Sequence, residues 1–188
     1  MQTNGDDLHF HVFSHAEDRR PGEVVDAVAE NAELGVDFVG QFLGSFQVYA
    51  HLRVPPGDTA LGDVQQIVDD LWPQGLRTES SFEIQPSRIM GPKRRSPDFC
   101  ALVRIRPDDD PFSVLERLDD HFEPLFDEDT FWYGAAVVTG RYDLLVDLGR
   151  PSLEELGQTI RTHLREIPGI GKTDTALADL RKKSFRRH

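Results

Sequence analysis

The sequence predicts an α+β protein of two tandem ferredoxin-like units, each a β-α-β-β-α-β run with an antiparallel sheet, packed together as an intrachain pseudo-dimer. Three observations predict it. The stretch Phe42 to Leu52 is repeated in chemistry by Val137 to Leu148: an apolar strand, a Gly-centred turn, an aromatic residue and a second strand. Each copy is preceded by a short apolar strand and a Pro-led amphipathic helix, Pro21 to Leu34 in the first and Pro111 to Leu125 in the second. Each is followed by another helix, a Gly and a last strand containing Thr, with Gly75 and Thr78 matched by Gly169 and Thr173.

The elements follow in order. Leu8, Phe10 and Val12 alternate with His9, His11 and Phe13, the two-residue period of a strand. After Pro21, Val24, Val25, Val28 and Ala32 recur at helical spacing, with Glu23 and Asp26 near the positive helix N-terminus. In the hairpin's return strand Phe46, Val48, Ala50, Leu52 and Val54 share one face and Gln47, Tyr49, His51 and Arg53 the other. Thr59 is the expected cap of the next helix, which carries Leu61, Val64, Ile67, Val68 and Leu71 and stops at Pro73 to Gly75. A last strand is expected over Thr78 to Gln85.

The second copy repeats the scheme. Asp108, Asp109 and Asp110 are cap candidates before a helix with Val114, Leu115, Leu118 and Phe122 on one face. Tyr142, Leu144, Val146 and Leu148 oppose Asp143, Leu145 and Asp147 in its hairpin. Ser152 leads a helix with Leu153, Leu156, Ile160 and Leu164, ended by Pro168-Gly169 before a strand over Lys172 to Leu180. The expected boundaries are residues 7–88 and 98–181 for the two units, 89–97 for a Gly/Pro-flanked linker and 182–188 for a basic tail. In each unit the helices cover the apolar row, leaving a second face of mixed polarity suited to stacking sheet on sheet around a partly wet interior.

At 188 residues, units of roughly 80 to 90 residues are marginal alone and should bury surface against each other. No apolar run approaches membrane-spanning length and the N-terminus has no signal-peptide pattern, so a cytoplasmic protein is expected. The formal net charge of −12 disfavours direct binding to nucleic acid or an anionic membrane, despite Lys93-Arg94-Arg95 and the basic tail. Cys100, the single cysteine, sits in the apolar run Phe99 to Ile105 and reads as a buried strand residue. Gly169-Ile170-Gly171-Lys172-Thr173 ends like a phosphate-binding loop, but Glu166 stands where that loop needs a glycine.

Val137-Val138-Thr139-Gly140-Arg141-Tyr142-Asp143, followed by Ile167-Pro168-Gly169-Ile170 and Thr173-Asp174-Thr175, resembles the effector-binding (RAM) domain of the leucine-responsive regulator (Lrp/AsnC) family over residues 98 to 181. The first copy resembles it in outline. Its Asp18-Arg19-Arg20-Pro21-Gly22 is also similar to the helix start of amino-acid-binding ACT domains. The resemblance implies a small-molecule effector such as an amino acid, held by Thr139, Gly140, Tyr142, Asp143 and Thr173, in a homo-oligomer. It implies a non-enzymatic regulatory protein without a cofactor. The family's helix-turn-helix has no counterpart before the first strand, so transcription regulation would run through a DNA-binding partner.

The residues themselves carry an alternative. His9 and His11 share a strand face, and in a ferredoxin-like sheet the first and third strands are neighbours, which brings His51 beside them. Tyr49 and Arg53 lie on the same face, and Arg104, Asp143 and Asp147 on the corresponding face of the second copy. Imidazoles so placed could hold a metal, haem or substrate between the sheets, as in dimeric α/β-barrel enzymes, or stand as hydrogen-bonded structural histidines.

Overall fold

Alternation along Leu8–His15 makes the first strand, β1, and in the computed structural model its even-numbered residues face the helices, with Phe10 and Val12 in the core. The structure describes residues 7–15, 20–30, 35–72, 77–89, 97–127, 131–181 and 184–186. The chain divides into one unit of residues 1–83 with 182–188, and another of residues 84–181. Gly75 and the expected linker residues 90–96 lie outside the described residues.

In the first unit α1 (Pro21–Glu30) follows β1, and β2 (Val36–Gln41), the short β3 (Leu43–Gly44) and β4 (Val48–Val54) make the hairpin region. Helix α2 (Ala60–Leu71) and β5 (Arg77–Pro86) complete the run. Strand β1 lies between β4 and β5, and β4 between β1 and β2, all antiparallel, giving the order β2-β4-β1-β5. That is the ferredoxin-like order, and the core fills the space beneath the helices with Val24, Val25 and Val28 of α1 against Val48, Ala50, Leu52 and Val54 of β4. Three residues expected in the basic tail, Ser184–Arg186, form a further strand, β10, paired with β2 from Phe38 to Gly40.

The second unit repeats the order with β6 (Phe99–Arg106), α3 (Pro111–Phe122), β7 (Trp132–Val138), β8 (Leu144–Arg150), α4 (Leu153–Thr162) and β9 (Lys172–Asp179). Its antiparallel pairings give β7-β8-β6-β9. Val114, Leu115, Leu118 and Phe122 of α3 pack with Val103, Ile105, Val146 and Leu148 of the sheet. Past Phe122 the expected helix tightens into a 3-10 turn, Glu123–Asp127. Cys100 is buried, as its apolar run implied.

The hairpins show why both copies carry Gly, one residue, then an aromatic. In the second unit Val138 N–H donates to the carbonyl of Asp143 (2.9 Å), and Asp143 N–H to the carbonyl of Ile105 (3.0 Å). In the first, Phe42 N–H donates to Gln47 (2.8 Å) and Gln47 N–H to Ser14 (3.0 Å), the same two bonds at matching positions. Gly140 takes φ 111°, which a side chain would strain, and Phe46 and Tyr142 are buried. No helix among the described residues is long and apolar enough to cross a membrane.

Candidate functional site

The second face of the first unit's sheet collects the polar groups. Antiparallel register sets His9 opposite Arg53, His11 opposite His51 and Phe13 opposite Tyr49, so side chains two apart on β1 meet those two apart on β4. On β5, Ser81 pairs with His11 on this face, and Glu83 lies two residues on. Asp37 reaches it differently. The β2–β4 register shifts between Val36 and Phe38, which makes Asp37 the inserted residue of a β-bulge and turns its carboxylate toward His51.

Two hydrogen-bonded chains result. Asp37 is held below the usual carboxylate range, chiefly by its bond to His51, and an ionised carboxylate only accepts. Nδ1–H of His51 therefore donates to Oδ2 of Asp37 (3.2 Å). The other nitrogen of His51, Nε2, is then placed to accept from Nδ1–H of His9 (2.9 Å), leaving the lone pair of His9 Nε2 at the open end. Burial, then the neighbouring His51, pushes the His9 imidazole below its ordinary value, so it stands neutral at neutral pH.

The other chain is buried. Nε2–H of His11 donates to Oε2 of Glu83 (3.4 Å), and the Tyr49 hydroxyl donates to His11 Nδ1 (2.8 Å). Burial pushes His11 down to about 4. It also pushes the Glu83 carboxyl up, but the hydrogen bond and charge of His11 outweigh that and leave Glu83 below its ordinary value. Arg53 bridges Asp7 (3.1 Å) and Asp37 (3.6 Å) at the rim.

The four rings also stack. Tyr49 lies 6.0 Å from His11 at 11°, His11 lies 5.1 Å from His51 at 15°, and His51 lies 5.0 Å from His9 at 21°. Phe13, Phe38 and Phe42 surround Tyr49 with ring centroids 5.5, 5.8 and 5.7 Å away.

Among the described residues no three His, Cys, Asp or Glu side chains converge on a point that could hold a metal ion. On this face a haem iron could meet only His9 Nε2, because both ring nitrogens of His11 and of His51 are engaged. The cleft of about 360 Å³ on the helix side of the same sheet, lined by Phe10, Val12, Val64 and Ser80 among others, has no histidine in its wall. A substrate that meets the open nitrogen of His9 fits what is present.

The residues implied by the regulator resemblance lie in the second unit, at the β7–β8 turn and the neighbouring end of β9. Thr139 and Gly140 form the β7–β8 turn, and Asp143 enters it through its backbone. Thr173 sits on β9 opposite Ile105. Tyr142 does have company, donating to Asp174 (3.2 Å) beneath the guanidinium of Arg104, 4.7 Å from its ring. Asp147 accepts from Trp132 Nε1 (3.1 Å).

Sequence reasoning missed the buried carboxylate of Asp119, which accepts from Ser87 Oγ (2.6 Å), the Tyr133 hydroxyl (2.8 Å) and Arg88 N–H (3.1 Å) and ties residues 87 and 88 to α3. It also missed His121 on α3 beside His163 at the end of α4, 3.2 Å apart. Asp119 falls in the helical period of Leu115 and Leu118, and that breach of an apolar stripe was the available signal.

No family model and no curated protein matches the chain. Solved structures do. Chlorite dismutase from Candidatus Nitrospira defluvii in complex with imidazole is 13% identical, with a TM-score of 0.54 over 94% of this chain and 93% of that one. A mutant of that protein in complex with cyanide is 13% identical, with a TM-score of 0.56 over 93% and 91%. A protein of Lactobacillus acidophilus NCFM provisionally named a monooxygenase is 11% identical, with a TM-score of 0.57 over 91% of each chain.

At such identities the likeness shows the fold, a mixed α+β chain of ferredoxin-like type, and it extends over nearly the whole length. It corrects the expectation of Lrp/AsnC effector domains and of an ACT-like first copy, and with it the regulatory, non-enzymatic reading. The shared motif has a local cause: both hairpins need Gly and a buried aromatic for their backbone bonds, whatever the unit does.

Proposed function

We propose that the chain is an enzyme acting on a small molecule bound against the first unit's sheet, with His9 Nε2 taking a proton from it. The ordered chain Asp37–His51–His9 carries this reading. When His9 gains a proton, His51 accepts a stronger hydrogen bond and the ionised Asp37 stabilises the added charge one imidazole away. The names of the fold neighbours, chlorite dismutase and a provisional monooxygenase, support oxygen chemistry as the class to test.

Charge favours one of those directions. Among the described residues the face carries the carboxylates of Asp7, Asp37, Glu79 and Glu83 against the guanidiniums of Arg53 and Arg77, so it disfavours an anion such as chlorite. A neutral phenol or enol, acidic at O–H or C–H, suits a neutral imidazole base. The same reading takes the two units as tandem copies of one fold, supported by their common strand order and matched hairpin bonds.

The test measures oxygen uptake by the purified chain with a panel of hydroquinones and enols, beside chlorite decomposition. We expect uptake with a neutral substrate, with kcat lowered about a hundredfold or more in His9→Gln and the melting temperature unchanged. Full activity in His9→Gln would contradict the reading, as would a stoichiometric Soret band in a protein whose activity scales with its haem content.

A further inference from the structure

The proton chain through His9 makes no use of Tyr49, although Tyr49 ends the ring ladder at its buried end, beside His11. Phe13 and Phe42, which pack on its ring, are buried to 2% and 4% exposure and Tyr49 itself to 8%, so the ring is largely withdrawn from bulk solvent. His11 presents an imidazole nitrogen to the hydroxyl at 2.8 Å, with Glu83 behind it.

We infer that Tyr49 is a one-electron donor to an oxidant held against His9, passing its phenolic proton to His11 as the electron leaves along the stacked rings. This rests on the reading above that substrate binds at His9. The oxidant is an oxyl or peroxyl radical of the bound organic molecule, generated with dioxygen. The O–H bond of Tyr49 breaks, and its proton forms an N–H bond at His11 Nδ1. The electron converts the radical to its anion, leaving a neutral phenoxyl and an imidazolium. An external thiol or phenol at the His9 end of the ladder returns one electron and gives up its own proton to the product anion, and His11 returns the phenolic proton to Tyr49.

The chain has three tyrosines, and their acceptors distinguish them. Oxidising Tyr142 would send its proton to Asp174 and neutralise the partner of Arg104. Oxidising Tyr133 would protonate Asp119, the acceptor for Ser87 and for the Arg88 backbone. Oxidising Tyr49 instead creates an imidazolium facing the ionised Glu83, so a new ion pair forms where the others lose one. Neither Tyr133 nor Tyr142 stacks on a histidine ladder among the described residues.

The experiment oxidises the full chain with photogenerated tris(bipyridine)ruthenium(III) and records electron paramagnetic resonance after rapid freezing. We expect a tyrosyl spectrum that persists in Tyr133→Phe and Tyr142→Phe and vanishes in Tyr49→Phe. Its formation should slow about twofold or more in D2O and about tenfold or more in His11→Phe. The D2O comparison needs no variant and holds even if His11→Phe does not fold. An unchanged tyrosyl yield in Tyr49→Phe, or equal rates in H2O and D2O, overturns the assignment.

The ruthenium complex replaces the natural oxidant, so the two readings fail separately. Normal turnover in His9→Gln with a Tyr49 radical still formed would sink proton abstraction alone. Lost turnover in His9→Gln with no radical at Tyr49 would sink the electron-donor role alone.

Discussion

His11 couples the buried chain to pH. An unfolded histidine titrates near 6.5 and His11 in place near 4, so between those values the unfolded state binds the proton first. Stability therefore falls as pH drops through that window and stops falling on this account below it. A shift of that size corresponds to about 3 kcal/mol, lost in full once the pH is below both values. The lowered Glu83 pushes the same way, since its contribution is lost as pH falls through its folded value. Urea unfolding at neutral pH and near pH 4.5 should show the loss, and His11→Phe should flatten it; equal pH slopes for both proteins would contradict the assignment. The three imidazoles were legible in the sequence because strand alternation and ferredoxin-like order suffice to align them. Asp37 was not, because it faces His51 only through a bulge, and a bulge leaves no mark on a two-residue period.

At the scale of elements, residue type and backbone conformation part company at the helix starts. Asp110 accepts from Ser113 N–H (2.9 Å) with Pro111 in the first turn, and Ser152 accepts from Glu155 N–H (3.2 Å) with extended backbone at φ −137° and ψ 154°. Thr59, an equally good cap by type, sits at φ −95° and ψ −7°, and its hydroxyl donates to Asp63 instead (3.1 Å). Asp110→Ala should thus cost about 1 kcal/mol in urea unfolding. Thr59→Ala should stay within about 0.5 kcal/mol, as surface changes usually do. Equal losses would mean that Thr59 caps its helix in solution. Periodicity marked the helices and strands such as β1 and β4, but β2 (Val36–Gln41) lies ahead of the Phe42 at which the hairpin was expected to begin, and element ends depended on local turns, as where α3 gives way to a 3-10 turn at Glu123.

Over the whole molecule, two sequences reach one strand order, and among the described residues the stacked row of imidazoles on a sheet face belongs to the first. The repeat was readable because a buried stripe and a hairpin turn constrain residue type wherever they occur. For the same reason the family resemblance misled: Gly140, Tyr142 and the backbone of Asp143 serve a turn that the first unit builds with Gln47 in place of Asp143. The proposed base depends on the lone pairs on the first sheet, and their direction can be read by nitrogen NMR of labelled histidine at neutral pH. The proposed chain requires Nδ1–H at both His9 and His51, with the His9 Nε2 resonance that of an unprotonated nitrogen, although free histidine favours the opposite tautomer. An Nε2–H at His9 would close the open end of the chain and contradict the assignment of His9 as the base.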